Sequence, residues 1–578
     1  MHTGLSDFGG TCKFGPSLPD IRMTFLQSPP VLSNQYLDDR VLRSYLRRVL
    51  PPAMLGEIEG DLTDLGEFAA TAWTLARTRA RSEPTLTCWN AWGERVDRIE
   101  LTPAWQAAQP LAARHGLVAA GHETKHGAAA RVHQFAMVYL YHCGSEFYTC
   151  PLAMTDGAAT ALKASGNQRL VDRAVPHYLS RDPAEFWISG QWMTENAGGS
   201  DVAGTETTAR EENGRWRLYG RKWFTSAINA QTALALARPA GAPAGSDGLA
   251  LFYLEPRKPD GRWRNIVVDR LKDKLGTREL PTAEIHLDGA PAELVGEPRR
   301  GVRQIAPMLN ITRTWNAVGA LATMRRAIAL ARDYANRRVV FGRPLAEQPL
   351  HQDTLAGMQA EFEAAFHFTF YVAELLGRAQ AGQADEAQQN LLRLLTPLAK
   401  LWTGKLAVAI ASEACECLGG AGYLEDTGLP QLLRDAQVWP IWEGTSNVQA
   451  LDFLRALRAT GGLQPLLSAQ RAILSQVQAP ELEPCARASR EAATRVTEWL
   501  QKASAGERER VEAGGRELSF GLARMLALAL LTRHAEWALR AENDPRPAAA
   551  ARRFADQGLL RLKSNGLHDA VMLAGDSY

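Results

Sequence analysis

"QWMTENAGGSDVAGTETTAREENGRWRLYGRKWFTSA", Gln191 to Ala227 of a 578-residue chain, interrupts a sequence that otherwise reads mostly as helix. Inside it "RWRLYGRKWF" has the period and composition of a strand. Short β-rich runs follow at "ALALARP", "LALFYLEP" and "TAEIHL", separated by Gly, Asp, Asn and Pro. Several short strands joined by tight turns, from about Phe186 to Gly296, predict a small barrel or sandwich.

The same stretch carries polar chemistry. Thr194 supplies a hydroxyl, Gly198 and Gly199 permit close backbone approach, and Ser200 and Asp201 follow. Some two dozen residues later, Trp223, Phe224 and Thr225 set flat aromatics beside another hydroxyl. An isoalloxazine ring asks for such a set, with donors for its nitrogens and carbonyls and an aromatic wall on its face. A glycine turn followed by a core tryptophan would use the same residue types.

Helical periodicity flanks this region on both sides. Before it, from about Tyr36 to Asp182, lie Ala- and Leu-rich stretches such as "GEFAATAWTLARTRAR". After it, Leu321, Met324, Ile328 and Ala331 follow the spacing of one buried helix face. A second long helix is expected in "LLRLLTPLAKLWTGKLAVAIASEACECLGG", stopped by Gly419 and Gly420. Beyond Gly461, Leu518, Leu522, Met525 and Ala529 again share a face. The expected fold class is α+β. It has an amino-terminal arm and helical domain (1–185), a β domain (186–300), a helical bundle (301–460) and an appended helical extension (461–578).

Bulk properties bound the function. The length predicts about three or four domains. The chain is 46% hydrophobic and 22% charged with net charge +2, which points globally to neither nucleic acid nor an anionic membrane. No run approaches the roughly 18 apolar residues of a membrane span. The start, "MHTGLSDFGGTCKFGPSLPD", is Gly- and Pro-rich, reads as a loose arm, and lacks the pattern of a secretory signal. Seven scattered cysteines, with Cys415 and Cys417 one residue apart, predict reduced thiols in a cytoplasmic protein. The twelve histidines form no metal-binding arrangement, so no metal is expected.

A second stretch raises the question of mechanism. "PIWEGTSNVQALDFLRAL", Pro440 to Leu457, sets Glu443 between Trp442 and Gly444 just before an amphipathic helical pattern. Glu443 reads either as a helix-start carboxylate, favoured by the positive end of the helix dipole, or as a base kept where water is scarce.

"TENAGGSDVAG", "RKWFTSA", "LKDKLGTRELPTAEIHLDG", "RRVVFGRPL" and "CLGGAGYLEDTGLPQLLRDAQVWPIWEGTSNVQ" occur in this order. In that succession the chain resembles the acyl-CoA dehydrogenase flavoprotein family, over roughly Asp182 to Leu457. It is most similar to the AidB type, given the carboxy-terminal extension, "IWEGTSN" and "VDRIELTPAW". The resemblance implies FAD enclosed by a helical domain, a β domain and a helical bundle, usually in a homotetramer. Met193, Thr194 and Ser200 would line the flavin, Thr225 would reach N5, and Trp223 and Phe224 would form the wall. Arg338 and Phe341 would hold the pyrophosphate and adenine region from a neighbouring subunit. Gly419 and Gly420 would pack against a neighbour's cofactor, and Thr445 and Asn447 would contact FAD.

Glu443 matches the family's base, which takes the α-proton of an acyl thioester while the β-hydrogen leaves as hydride to flavin N5. Some members carry the base one residue before Arg313, where this chain has Thr312. Glu416 stands where many members have glutamine, and the residues that grip the CoA nucleotide are not recognisable. The AidB type is also linked to duplex DNA through its last domain. After Gly461 there are 16 Lys or Arg against 14 Asp or Glu, far from a strongly basic domain, although Arg546, Arg552 and Arg553 cluster. Arg516, Arg524, Arg533 and Arg540 share no helix face. Three readings follow: a dehydrogenase of acyl thioesters, a DNA-associated flavoprotein of the alkylation-damage response, and an acyl-CoA or lipid sensor.

Overall fold

The computed structural model describes residues 27–78, 82–505, 508–562 and 567–575. The first twenty residues, expected to form an arm, lie outside the described residues. The amino-terminal third contains α1 (Arg40–Val49), α2 (Pro52–Thr78), α3 (Pro103–Arg114), α4 (Ala130–His142), α5 (Thr149–Ser165) and α6 (Gln168–Tyr178). Between α2 and α3 lies an antiparallel hairpin, β1 (Thr85–Trp89) and β2 (Arg95–Glu100), which the mostly helical pattern of this region did not announce. Its partners lie far along the chain, where local periodicity could not show them. Arg95 Nη2 donates to the Val268 carbonyl at 2.8 Å, and Asp97 Oδ2 accepts from the Val268 amide at 3.1 Å. Leu86 and Ile99 rest on the core of the β domain.

The β domain comprises β3 (Ser189–Trp192), β4 (Thr208–Glu212), β5 (Arg215–Ser226), β6 (Thr232–Pro239), β7 (Ala250–Leu254), β8 (Ile266–Leu271) and β9 (Thr282–Leu294). Its strand order is β3-β6-β4-β5-β9-β7, with β8 on β9, and β7 pairs back onto β6 to close a barrel. Asn213 and Gly214, both at positive φ (52° and 71°), turn β4 into β5, as a tight two-residue hairpin requires. The alternation of β6 divides between two cores. Ala233, Ala235 and Ala237 fill the barrel, while Leu234 and Leu236 join the helical core.

The bundle begins with α7 (Gly301–Arg337), followed by a hairpin of β10 (Val339–Val340) and β11 (Arg343–Pro344). Next come α8 (Pro349–Gln380), α9 (Glu386–Cys417), α10 (Leu429–Ala436) and α11 (Ser446–Ala459). Leu321, Met324, Ile328 and Ala331 are buried as their spacing predicts, and so are most of their neighbours, because α7 runs through the centre of the helical core. Asp385 and Gln388 form a reciprocal capping box at the start of α9. Among the described residues α9 alone is long and apolar enough to cross a membrane, and it is mostly buried inside the protein.

The last segment holds α12 (Gln464–Leu474), α13 (Glu483–Ser504), α14 (Arg508–Ala513), α15 (Gly515–Ala541), α16 (Arg546–Asp556) and α17 (Leu567–Ala574). Leu518, Leu522, Met525 and Ala529 are buried on α15, in the same core as α7, α8 and α9. Arg524 makes two bonds to Glu361 at 2.7 and 2.8 Å, and Arg553 pairs with Asp353 at 2.6 Å. The extension is therefore packed onto the bundle.

One buried ion pair holds the barrel rim. Lys222 Nζ lies 2.5 Å from Glu195 Oε1, and Glu195 also accepts from Thr207 Oγ1 and the Glu206 amide. Removing one member leaves the other charge buried alone. Lys222→Met should cost about 3–5 kcal/mol of stability, read as a lowered denaturant midpoint. Adding Glu195→Leu should recover part of that loss.

Candidate active site

Glu443 lies on the turn from α10 to α11, and the turn is built around Trp439. The Trp439 ring abuts Gly319 on α7, where a Cβ would lie 2.5 Å from the indole. Its backbone abuts Gly404 on α9, where a Cβ would lie 2.9 Å from the carbonyl oxygen. Phe147 stacks on Trp439 at 5.3 Å, Trp442 meets both rings edge-on, and the Trp439 Nε1–H donates to Thr323 Oγ1 at 3.1 Å. Ile441, between Pro440 and Trp442, faces solvent at 61% exposure.

The chain then enters left-handed backbone at Glu443 (φ 55°) and Gly444 (φ 98°). For a residue with a side chain, that conformation costs on the order of 1–3 kcal/mol and persists only where surrounding contacts impose it. Here they do. Gln449 Nε2 donates to the Glu443 carbonyl at 2.6 Å, Arg313 Nε reaches the same oxygen at 3.4 Å, and Lys400 Nζ donates to the Gly444 carbonyl. Arg313 and Arg393 are in turn fixed on Asp452, each at 2.7 Å.

The carboxyl of Glu443 does not cap the helix. Thr445 does, accepting from the Val448 amide. Glu443 Oε2 instead accepts from Thr312 Oγ1 on α7 at 2.6 Å, with Gln191 as a further side-chain partner. Burial pushes the Glu443 carboxyl up, opposed by Thr312, Arg313, Lys400 and Gln191, and the net shift is upward. A carboxyl held this way is suited to receive a proton.

The aromatic wall arises from a bulge in β5. Pairing with β9 slips between Lys222 and Thr225, so Trp223 and Phe224 emerge consecutively, each 39% exposed, while Lys222 and Thr225 turn inward. The two rings meet edge-to-face at 4.9 Å, and Lys272 Nζ sits 3.8 Å from the Trp223 ring centre. The Trp223 amide donates to the Thr194 carbonyl at 2.9 Å, which brings the half-buried Thr194 to the wall. Met193 is half-buried against the helical core, and Ser200 is exposed. Thr225 departs from expectation: it is fully buried and its hydroxyl donates to the Ala283 carbonyl at 2.7 Å, so it presents no exposed hydroxyl proton to a ligand.

Other expected residues lie on the surface. Arg338 ends α7, and Phe341, 98% exposed at φ 49°, tips the β10–β11 hairpin. Gly419 and Gly420 are exposed, and a Cβ at either would meet nothing within 4 Å. Thr445 and Asn447 are exposed, and Arg516 Nη1 approaches Asn447 Oδ1 at 3.4 Å. Among the described residues, no hydrogen bond or ring contact joins Phe341, Gly419 or Gly420 to the Trp223 wall within this single chain. Sequence reasoning missed Gln191, Gln449 and Lys400. A lone lysine inside the apolar run "LTPLAKLW" was the one available signal, since a buried lysine needs a partner. The residues fit FAD: exposed aromatic faces flank Thr194, and the Oε1 of the adjacent Gln191 is buried with no protein partner.

Residues 27–182 match the adaptive response protein AidB N-terminal domain, and residues 190–290 and 299–457 match the middle and C-terminal domains of acyl-CoA dehydrogenase. Residues 466–573 match the acyl-CoA dehydrogenase 11 C-terminal domain-like family. Acyl-CoA dehydrogenase family member 11 of Caenorhabditis elegans is 42% identical over 532 residues, covering 88% of this chain and 86% of that protein. The putative acyl-CoA dehydrogenase AidB of Escherichia coli K12 is 35% identical over 450 residues, covering 75% and 80%. The crystal structure of Caenorhabditis elegans ACDH-11 in complex with C11-CoA superposes with a TM-score of 0.92 at 38% identity, covering 99% of this chain and all of that one. With a carboxyl raised by burial, exposed aromatic faces on the barrel, and these relatives along nearly its whole length, the chain belongs to the acyl-CoA dehydrogenase family of FAD flavoproteins and has AidB-like features.

Proposed function

We propose that the protein dehydrogenates an acyl-CoA thioester between its α and β carbons, with Glu443 accepting the α-proton. The observation that carries this reading is the left-handed Glu443 turn, whose contacts aim the carboxyl at Thr312 and away from the helix start. Thr312 donates to Oε2 and holds the carboxyl in place to receive the proton. FAD, when bound, supplies the hydride acceptor that no side chain offers. Trp223, Phe224, Thr194 and Met193 would hold its ring, with Thr445, Asn447 and Ser200 at its polar edges.

Lys400 tunes the base. It is fully buried on α9, and burial lowers its ammonium to about 7, against the pull of the Glu443 carboxylate. A positive charge near a carboxylate lowers its pKa, so losing that charge as pH rises through about 7 makes Glu443 a stronger base.

The same reading extends to assembly. Gly420 needs no unusual backbone and meets no atom of its own chain, while Phe341, Val339, Tyr423 and Leu424 expose large apolar surfaces. A neighbouring copy and its cofactor would cover them, in a homotetramer where Arg338 and Phe341 complete the partner's site. The free thiols, including Cys143, Cys150 and Cys415, accord with a cytoplasmic location. A duplex-DNA role draws less support, because Arg524, Arg540, Arg546 and Arg553 are paired with carboxylates of their own chain.

Three outcomes test this reading. Glu443→Gln should bind FAD and lose at least about a hundredfold in the rate of anaerobic flavin bleaching by an acyl-CoA; an unchanged rate in a folded, yellow protein would remove Glu443 as the base. Lys400→Met should move the acid limb of the bleaching-rate profile to higher pH, since the base loses a neighbouring charge; a limb that stays in place or moves down refutes the tuning. Phe341→Ser should lower both the assembly state seen by light scattering and the FAD retained on gel filtration; a flavin-loaded wild-type monomer would refute the shared site.

A further inference from the structure

A buried amide next to the base remains unexplained. Thr312, Asn316, Gly319 and Thr323 fall in one stripe of α7, about 60° wide at 3.6 residues per turn. Thr312 contacts Glu443, Gly319 abuts the Trp439 ring, and Thr323 accepts the Trp439 Nε1–H. Asn316 therefore lies between the base and Trp439, facing the segment that carries both. It is 3% exposed, and neither its Nδ2 nor its Oδ1 has a hydrogen-bond partner. Leaving a buried polar group unsatisfied costs about 1–3 kcal/mol, and native structures rarely leave both halves of an amide so. At its Trp439 end the stripe meets an aromatic cluster, with Phe147 stacked on Trp439 and Trp442 set edge-on to both. A leucine or valine would suit an alkyl tail better.

We propose that Asn316 is a specificity-determining residue that reads a hydrogen-bonding oxygen, a hydroxyl or keto group, on the acyl chain of the substrate. Four residues, about 6 Å along the helix axis, separate Asn316 from Thr312, which touches the base that serves the α-carbon. The group it reads is thus placed beyond the β-carbon. The preferred substrates are oxygenated acyl thioesters, and plain alkyl thioesters of the same length leave the amide unpaired. A site built to hydrogen-bond a substrate group discriminates against the analogue lacking it far more sharply than an apolar pocket discriminates by size. This inference rests on the acyl-CoA dehydrogenase reading of Glu443.

The test compares straight-chain acyl-CoAs with counterparts of the same length carrying one hydroxyl or keto group beyond the β-carbon. Two readouts are needed: calorimetric binding to the FAD-loaded protein and the rate of anaerobic flavin bleaching. Wild type should favour one oxygenated position by at least about tenfold in both. Asn316→Leu, and Asn316→Val as the smaller replacement, should abolish that preference, tighten binding of the plain chain and not lower the thermal midpoint. Equal binding and bleaching of both classes by wild type, or a preference that survives in the variants, overturns the role of Asn316 and leaves the dehydrogenase reading standing. A wild type that neither binds nor is bleached by any member of the panel overturns both. The wild-type ratio alone decides if neither variant folds.

Discussion

Trp439 is the wedge on which the site depends. Its ring abuts Gly319 of α7 and its carbonyl abuts Gly404 of α9, contacts that any side chain at those positions would obstruct. With the indole fixed there, the chain takes left-handed backbone at Glu443 and Gly444 before α11 begins. The strain falls on the residue whose side chain is used. The contacts that hold it come from α7 through Arg313, from α9 through Lys400 and from α11 through Gln449. Three helices thus fix one carboxyl. A carboxyl whose backbone is held in this way has little freedom to turn toward water.

The wall opposite is set by different physics. Alternation along β6 and β7 gives each strand one face in the barrel and one in the helical core, so the barrel cannot slip by one residue without exposing a set of apolar side chains. Within that fixed register the bulge in β5 is the local exception that brings two consecutive aromatics to the surface. The Glu195–Lys222 pair anchors the bulge from beneath, holding the loop after Thr194 against the strand that carries Trp223. Wall and base therefore come from separate rigid layers, joined where Gln191 of β3 reaches Glu443.

Where a local pattern reports burial, the sequence was readable. The strands at Arg215, Thr232 and Thr282, the buried face of α7, and the stop after α9 all follow from periodicity or glycine placement. The β1–β2 hairpin was not legible, because two short alternating runs acquire meaning only from Val268 and Trp263, more than 160 residues away. The packing of the extension onto α8 and α9 was not legible, because helical periodicity shows that a face is buried and not what buries it. In the site, Glu443, Trp223 and Phe224 stood out by residue type. Thr225 turns inward because a bulge reverses the inward and outward alternation that the flanking residues establish. Gln191, Gln449 and Asn316 are ordinary amides in the sequence and acquire significance only from the groups that face them.

Thr312 gives the arrangement its generality. Its hydroxyl lies 2.6 Å from the Glu443 carboxylate, so positions 312 and 443 reach the same point from different helices. A carboxylate on either arm would reach that point. The two cannot both be carboxylates without like-charge repulsion that keeps one of them protonated. With threonine on α7 the second position becomes a neutral donor. It orders the carboxylate and favours its charged form modestly, against the burial that raises its pKa. The carboxyl is then raised by burial, held back first by Thr312 and then by Arg313, Lys400 and Gln191, and not tuned by a second acid.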